Sequence, residues 1–591
     1  YSKGSGVSAL FNATGTVSNI LLSGGTAAPT WLANGTAGQL LQSNGTGAPT
    51  WVAAPTTGWA LTGNAVGYAY GASPTTYLGT TASEGFQFGV AAHTAGRVEG
   101  NTGGQSTALG WGALQNYTAG GAVANTAMGI NAMQLSTAGA YNVAMGWEAM
   151  GDYTSPSSYN VGIGGGALAG PGGSAATVTG NTAVGYFALV SNTGNNNTAV
   201  GYEAASTVNS SSSNMSGTPI TSVGAYTLYN NTSGSDIVAV GYGALYKNTT
   251  ASYNTSIGDY TLYNNTAAKN TATGYSAGYT NSTGTDNVAM GDSASFSNAT
   301  SDITAVGANA LKTSTGTGNT AFGYNAAQSN GGATNNTAIG YNALELSSNN
   351  QNVAVGSQAM AAGSNFQSTG VGVNALQKSS GTADVAIGIN ASQNATSGTY
   401  NVAIGWEAYG DYSTGGSYNT AVGGGALAGP GGATSSGNNS TAMGYFALVS
   451  NESSNNTAIG YGAASSGLSS GPAIPLTGTP ITAIGYETLF GNTTGSHDVA
   501  LGYSGLYKNT TGNDNVAVGD SSLFANTTNG QNTAVGGNSL LANTTGTYNT
   551  ALGYNANVSA GNLTNATAIG YDASAPTSNS VTLGNTAVTG V

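Results

Sequence analysis

The sequence predicts an all-β fold. We expect a parallel β-solenoid, or β-roll, of 16–17-residue coils behind a slender N-terminal β neck, with several chains, three in number, joined into a fibre. Three observations carry this. A glycine-centred phrase recurs at a nearly fixed interval, the residues around that glycine keep their chemistry from copy to copy, and the composition suits an ordered chain with almost no charge.

The phrase NTAVGY stands at 181–186 and again at 197–202. With its glycine as position zero, variants continue through Gly224, Gly241, Gly258, Gly274, Gly291 and onward to Gly570, with earlier copies at Gly110, Gly129, Gly146 and Gly164. Position −1 is aliphatic (Val184, Val200, Val240, Ile257, Ile339), position +4 is commonly leucine (Leu189, Leu245, Leu344), and positions −2 and +3 are usually alanine. Asn-Thr precedes the strand, tyrosine is frequent at +1, and a cluster of Asn, Thr, Ser and Gly closes each unit as turns do.

Sixteen residues are too few for a pair of helices, and a central glycine weakens any helix. They suit two short strands and two turns. Stacked about 4.8 Å apart, such coils form a rod on the order of 130 Å between Gly110 and Gly570. The −1 aliphatics and the +4 leucines are expected to form two internal apolar ladders. The alanines, which allow close approach of another backbone, are expected between chains of a homotrimer or filament.

Composition sets the outer limits. Of 591 residues, 39% are hydrophobic, 5% are charged and 96 are glycine, unlike a disordered chain, which is poor in apolar groups and rich in charge. Seven Lys and Arg against 20 Asp and Glu leave no basic surface for a phosphate backbone, so no nucleic-acid partner is expected. No apolar run approaches the ~20 residues that span a bilayer as a helix, so no membrane insertion is expected. Cysteine is absent, which removes disulfides, thiolate metal sites and Cys nucleophiles.

A longer duplication overlies the short one. NVAMGWEAMGDY (142–153) returns as NVAIGWEAYGDY (401–412), GGGALAGPGG occurs at 164–173 and 423–432, and GYFALVSN occurs at 185–192 and 444–451. A block around 142–265 is therefore repeated at 401–526, irregular insertions included.

The first hundred residues differ. ILLSGGTAAPTW (20–31) and QLLQSNGTGAPTW (39–51) each read as a turn and strand anchored by an indole, which assigns 1–58 to an extended neck. Residues 59–103 read as a small β adaptor in which Phe86-Gln87-Phe88 alternates as a strand does, and 104–591 is the repeat array.

The NTAVGY/ALxxNT units resemble the head repeats of trimeric autotransporter adhesins, and the neck phrase around GAPTW resembles segments of bacteriophage tail fibres. The resemblance covers nearly the whole chain. It implies a trimeric parallel β-roll that attaches a virion, or a microbial cell, to a surface. The interval of 16–17 is longer than the usual adhesin head repeat.

Candidate chemistry is sparse. His93 and His497 lie in unrelated contexts, and two histidines without cysteine give no zinc set. Asp259, Asp292 and Asp520 replace the +1 tyrosine without the Asp-Gly alternation of calcium-binding rolls. The carboxylates Glu148 and Asp152, with their copies Glu407 and Asp411, lie beside Trp147 and Trp406. A paired-carboxylate glycosidase is the weaker reading of them. A solvated corner is the plainest, and a glycan contact by Trp147, Glu148, Trp406 and Glu407 is the functional one. The +1 tyrosines are expected to stack on one another, with sugar stacking as the alternative. More than twenty N-x-[ST] sequons, among them Asn248, Asn298, Asn492, Asn509, Asn526 and Asn543, read as turn chemistry rather than glycan acceptors. The sequence thus points to a non-enzymatic fibre needing no cofactor or metal, on a virion or extracellular surface, with a cell-surface glycan as partner. The alternative is a microbial adhesin head or filament subunit.

Overall fold

A computed structural model describes residues 20–22, 30–32, 36, 39–44, 47–53, 86–90, 93–98, 105–117, 124–207, 214–429, 437–466 and 474–590. The chain divides into two compact units, Tyr1–Phe86 with Gly100–Thr102, and Gln87–Glu99 with Gly103–Val591. The adaptor expected over 59–85 lies outside the described residues.

In the first unit, each APTW phrase closes an antiparallel strand pair. Strand β1 (Ile20–Leu22) pairs with β2 (Thr30–Leu32), setting Leu21 opposite Trp31. Strand β3 (Gln39–Asn44) pairs with β4 (Gly47–Ala53), setting Leu41 opposite Trp51, with an irregularity between Gln42 and Asn44.

The second unit is a parallel β-solenoid. Strand β5 (Phe86–Val90) carries the Phe-Gln-Phe alternation, and β6 (His93–Val98) lies antiparallel to β7 (Thr107–Leu109), the first coil's strand. From there each coil contributes one short strand that pairs in parallel with the next, as far as Val581–Leu583. Register is strict: Thr182, Ala183 and Val184 face Thr198, Ala199 and Val200, and the longer intervals near 206–219 and 465–480 leave it unchanged.

Two expectations about the coil are corrected. The −1 aliphatics do form a ladder, but it faces outward: Val200, Ile257 and Ile339 are 37%, 41% and 40% exposed, and Val184 and Val240 are half-buried. The alanines at −2, such as Ala183 and Ala199, are fully buried inside the coil and not between chains. The reason is strand alternation. Side chains at −2 and −1 point to opposite faces, and the narrow interior admits the methyl group, which sends the branched residues out. Leu189, Leu245 and Leu344 at +4 are fully buried and fill the interior with the +3 alanines.

The second correction concerns the other half of the coil, which is a chain of turns and not a strand except in two coils near the end, where Asn557–Val558 pairs in parallel with Ser574–Ala575. Glycine zero has φ near +130° throughout, for example +136° at Gly185 and +142° at Gly201. Positions +2 and +4 are left-handed as well, with φ 52° at Phe187 and 54° at Leu189. Backbone hydrogen bonds nevertheless run from coil to coil along this side, as from Leu189 N to the Ala204 carbonyl at 2.9 Å. Only glycine serves at zero: a Cβ on Gly185 would lie 2.2 Å from the Gly201 carbonyl oxygen. At +4 the left-handed backbone excludes β-branched residues, so the position carries mostly Leu, Met or Ala, with Gly278, Ser295, Ser392 and Tyr409 in single coils, while Val and Ile collect in the strand.

This rule is testable. Leu344→Ile conserves volume but places a β-branch at φ 52°, and should cost about 1–3 kcal/mol, whereas Leu344→Met should cost less than about 1.5 kcal/mol. Amide hydrogen exchange across the neighbouring coils should lose protection for isoleucine only. Equal protection in the two variants would refute the assignment.

Candidate functional site

Two buried asparagine columns fix the coil's corners and thereby place its surface side chains. In the −4 column, Oδ1 of each asparagine accepts the backbone N–H of its successor. Asn142 N–H donates to Asn125 at 2.9 Å, Asn160 to Asn142 at 3.0 Å, Asn181 to Asn160 at 2.9 Å, and Asn197 to Asn181 at 2.9 Å. The Nδ2 groups donate to turn carbonyls, as Asn160 does to Val178 at 2.9 Å. In the +7 column, Nδ2 of Asn248 donates to Oδ1 of Asn231 at 3.1 Å, and Asn526 and Asn543 repeat the pattern at 2.9 and 3.0 Å. The columns are tied together, Asn197 Nδ2 donating to Asn192 Oδ1 at 3.0 Å.

These columns decide six of the sequons. Asn248, Asn298, Asn492, Asn509, Asn526 and Asn543 are buried in the +7 column, so no folded coil can present their amides for glycan attachment. Their fixed place in the interval was the available signal, and turn chemistry alone did not disclose a ladder.

Two coils carry aspartate in the −4 column. Asp384 accepts from Asn401 N–H at 2.8 Å. Asp498 accepts from Asn515 N–H at 2.9 Å on Oδ1 and from Asn509 Nδ2 at 3.0 Å on Oδ2. Burial outweighs these hydrogen bonds and pushes the carboxyls up, Asp384 to about 6 and Asp498 to about 7.

Outside, the +1 and +5 positions build aromatic columns. Tyr229, Tyr246, Tyr263, Tyr279 and Phe296 stack at 5.1, 4.9, 5.2 and 5.1 Å with planes within 6° of parallel. Tyr461, Tyr486 and Tyr503 stack at 5.1 and 5.0 Å, beside a second column of Phe490, Tyr507 and Phe524 at 5.3 and 5.1 Å. The tyrosines therefore stack on each other, as the sequence led us to expect. Within such a column each ring face is covered by its neighbour, and only the edges meet solvent.

In two coils whose +1 residue is Ala225 or Asp259, a +2 tyrosine fills the gap edge-on. Tyr226 lies 5.3 Å from Tyr202 and 5.7 Å from Tyr242, at 68° and 79°, and Tyr260 lies 5.3 Å from Tyr242 and 6.2 Å from Tyr275, at 67° and 88°. Glu203 hydrogen-bonds Tyr202 and pushes its phenol up to about 12.

Trp147 and Trp406 occupy +1 of this surface, 46% and 47% exposed, with Glu148 and Glu407 half-buried beside them at +2. Burial first, and then the charge of Glu148, raise the Asp152 carboxyl above its ordinary value. His497 faces Asp514 at 3.8 Å on the exposed surface, and His93 lies on β6. Among the described residues no cluster of three His, Cys, Asp or Glu could hold a metal ion, and no helix is long and apolar enough to cross a membrane. No protein-family model matches the chain, and no curated protein matches it significantly.

The buried aspartates give a pH signature. Their folded pKa values lie above the ordinary ~3.9, so the folded state binds more protons than the unfolded state between that value and about 6 or 7. Stability from these groups is therefore full below about pH 4 and declines as pH rises through 6 to 7. Asp384→Asn and Asp498→Asn should each raise local stability at pH 8, on the order of 3 kcal/mol, and do nothing at pH 4. Hydrogen exchange of the flanking coils at both pH values checks this, and a gain of equal size at pH 4 would contradict it.

Proposed function

We propose that the chain is a non-enzymatic structural fibre, a virion tail fibre or related appendage, that attaches to cell-surface glycans by many weak contacts. Its copies associate as a homotrimer through the outer face of the coil strands. One observation supports this above others: the outward −1 column is an apolar stripe in unbroken register. Met128, Met145, Ile163, Val200, Ile257, Met290, Phe322, Ile339, Ile387, Ile404, Met443 and Ile459 are all exposed along it. A soluble monomer rarely exposes a contiguous patch beyond a few hundred Å², and a stripe repeating once per coil is best matched by a partner with the same repeat. The expected interface thus moves from the alanines to the aliphatics.

Reach and multivalency are the proposed mechanism. A stack of coils holds repeated sites at fixed spacing, so that after one contact the next is intramolecular and gains effective concentration.

Sedimentation equilibrium should give three times the 57.5 kDa of one chain. Replacing Ile339, Ile387 and Ile404 by aspartate sets like charges along the stripe without entering the coil interior, and should weaken association at least about tenfold. A monomeric parent would refute the trimer. Release of reducing sugar from a host polysaccharide would refute the non-enzymatic assignment.

A further inference from the structure

The +7 column is an amide ladder over Asn231 to Asn281 and again over Asn492 to Asn543. In both stretches Nδ2 of one coil donates to Oδ1 of the coil before it, as Asn248 does to Asn231 at 3.1 Å, Asn281 to Asn265 at 3.3 Å and Asn526 to Asn509 at 2.9 Å. Between these stretches the column changes. Over successive coils +7 reads Ser314, Asn330, Ser347, Gly363 and Ser379. In the Gly363 coil the amide comes from Asn365, two residues on, whose Nδ2 stands 2.9 Å from where a Gly363 Cβ would be. The three serines and two asparagines are all buried.

Four side-chain atoms of this stretch are buried with no hydrogen-bond partner in the protein: Asn330 Nδ2, Ser347 Oγ, and both Nδ2 and Oδ1 of Asn365. They fall where a serine meets an asparagine. Ser314 precedes Asn330, Ser347 precedes Asn365, and Ser379 follows Asn365. A serine reaches one bond beyond Cβ and an asparagine two, so each serine has two non-hydrogen atoms fewer. The strands hold their register through these coils, with Thr304, Thr320, Thr337, Val353 and Thr369 in line, so no slip of the chain makes up for the shorter side chain. The direct amide contact is lost, and the volume given up is about that of one water molecule, ~30 Å³. Ser314 retains only a long contact, accepting from Asn319 Nδ2 at 3.4 Å. Ala395, which follows Ser379, carries no amide, and Ser379 Oγ takes the Gly381 N–H at 3.1 Å. Asn298 Nδ2 is unpartnered as well, but Asn281 precedes it and no serine opens room there.

We infer that three internal water molecules complete the +7 column between Ser314 and Ser379, one at each junction of serine with asparagine. The first accepts from Asn330 Nδ2 and donates to Ser314 Oγ. The second accepts from Asn365 Nδ2 and joins Ser347 Oγ. The third donates to Asn365 Oδ1 and accepts the Ser379 hydroxyl proton. Together they give a partner to all four unpartnered atoms. Water is the ligand that these groups select. Serine and asparagine are uncharged and offer donors and acceptors in the same place, and water both donates and accepts as the absent amide would. A buried donor or acceptor left bare forfeits the hydrogen bond that the unfolded chain makes to solvent, so a dry column is the costlier arrangement. An asparagine rung is thereby exchanged for a serine and a water, and the ladder continues through solvent.

A crystallographic map of the full chain that resolves ordered solvent tests this without any substitution. Peaks are expected at hydrogen-bond distance on both sides of the Asn365 amide and between Ser314 and Asn330. Protein density closing on that amide, with no solvent peak on either side, overturns the inference. Two variants carry the test into solution once circular dichroism shows that the array still folds. Ser347→Asn supplies the missing amide, and should remove the second peak while leaving the amide-exchange protection of the flanking coils equal or higher. Asn365→Leu is close in size but apolar, and it separates a wet column from a dry one. With waters bound to the amide, protection between Gly340 and Gly372 should fall about tenfold. With a dry amide the same substitution removes an unpaired polar group, and a rise in protection would overturn the inference as well.

Discussion

The glycine corner is the constraint on which the rest depends. At zero the chain turns with φ near +130°, and its Cα packs against the next coil's glycine so closely that a Cβ would sit about 2.4 Å from the carbonyl oxygen. That contact sets the spacing of successive coils at one fixed edge. It also launches the backbone into a run of left-handed residues at +2 and +4, which turns the chain without a second strand. Leucine enters the core at +4 because it tolerates that conformation. Valine, isoleucine and threonine do not, and no coil from Gly110 to Gly570 carries them at +2 or +4. Residue choice on the inner and outer faces thus follows from one backbone requirement.

Much of the architecture was legible because a solenoid writes its geometry into its period. The glycine interval, the buried Leu189, Leu245 and Leu344, and the strands that carry Trp31 and Trp51 could each be anticipated from residue type and spacing. The orientation of the strand could not. Ala183 and Val184 are both apolar, so the two-residue alternation that separates inside from outside in an ordinary strand carries no contrast here. Interior width decides instead, and width is a property of the closed coil. The asparagine columns were hidden for a related reason. Asn-Thr is what a turn would use in any case, and only its constant place in the coil marks Asn197 or Asn248 as buried.

The site was legible in half. Trp147 and Glu148, with their copies Trp406 and Glu407, stand out as bulky or charged residues in a bland sequence. Tyr186 and Tyr445 do not, being two coils away among many +1 tyrosines. Gly165 and Gly424 are the least conspicuous of all, although a glycine at +1 between aromatic rungs removes a ring from a column. The duplicated GGGALAGPGG preserves that removal.

Stacking explains why an absent rung matters. In a complete column, such as Tyr229 to Phe296, every interior ring has a parallel neighbour about 5 Å away on each side, so the π faces are already satisfied and only edges meet solvent. Adding tyrosines to such a column strengthens the fibre without creating a recognition surface. At Gly165 and Gly424, where a ring is missing, the next coil's Tyr186 or Tyr445 lies over the glycine, 3.2 or 3.1 Å from where a Cβ would stand. A glycine at +1 therefore interrupts the column and is covered by the ring that follows it.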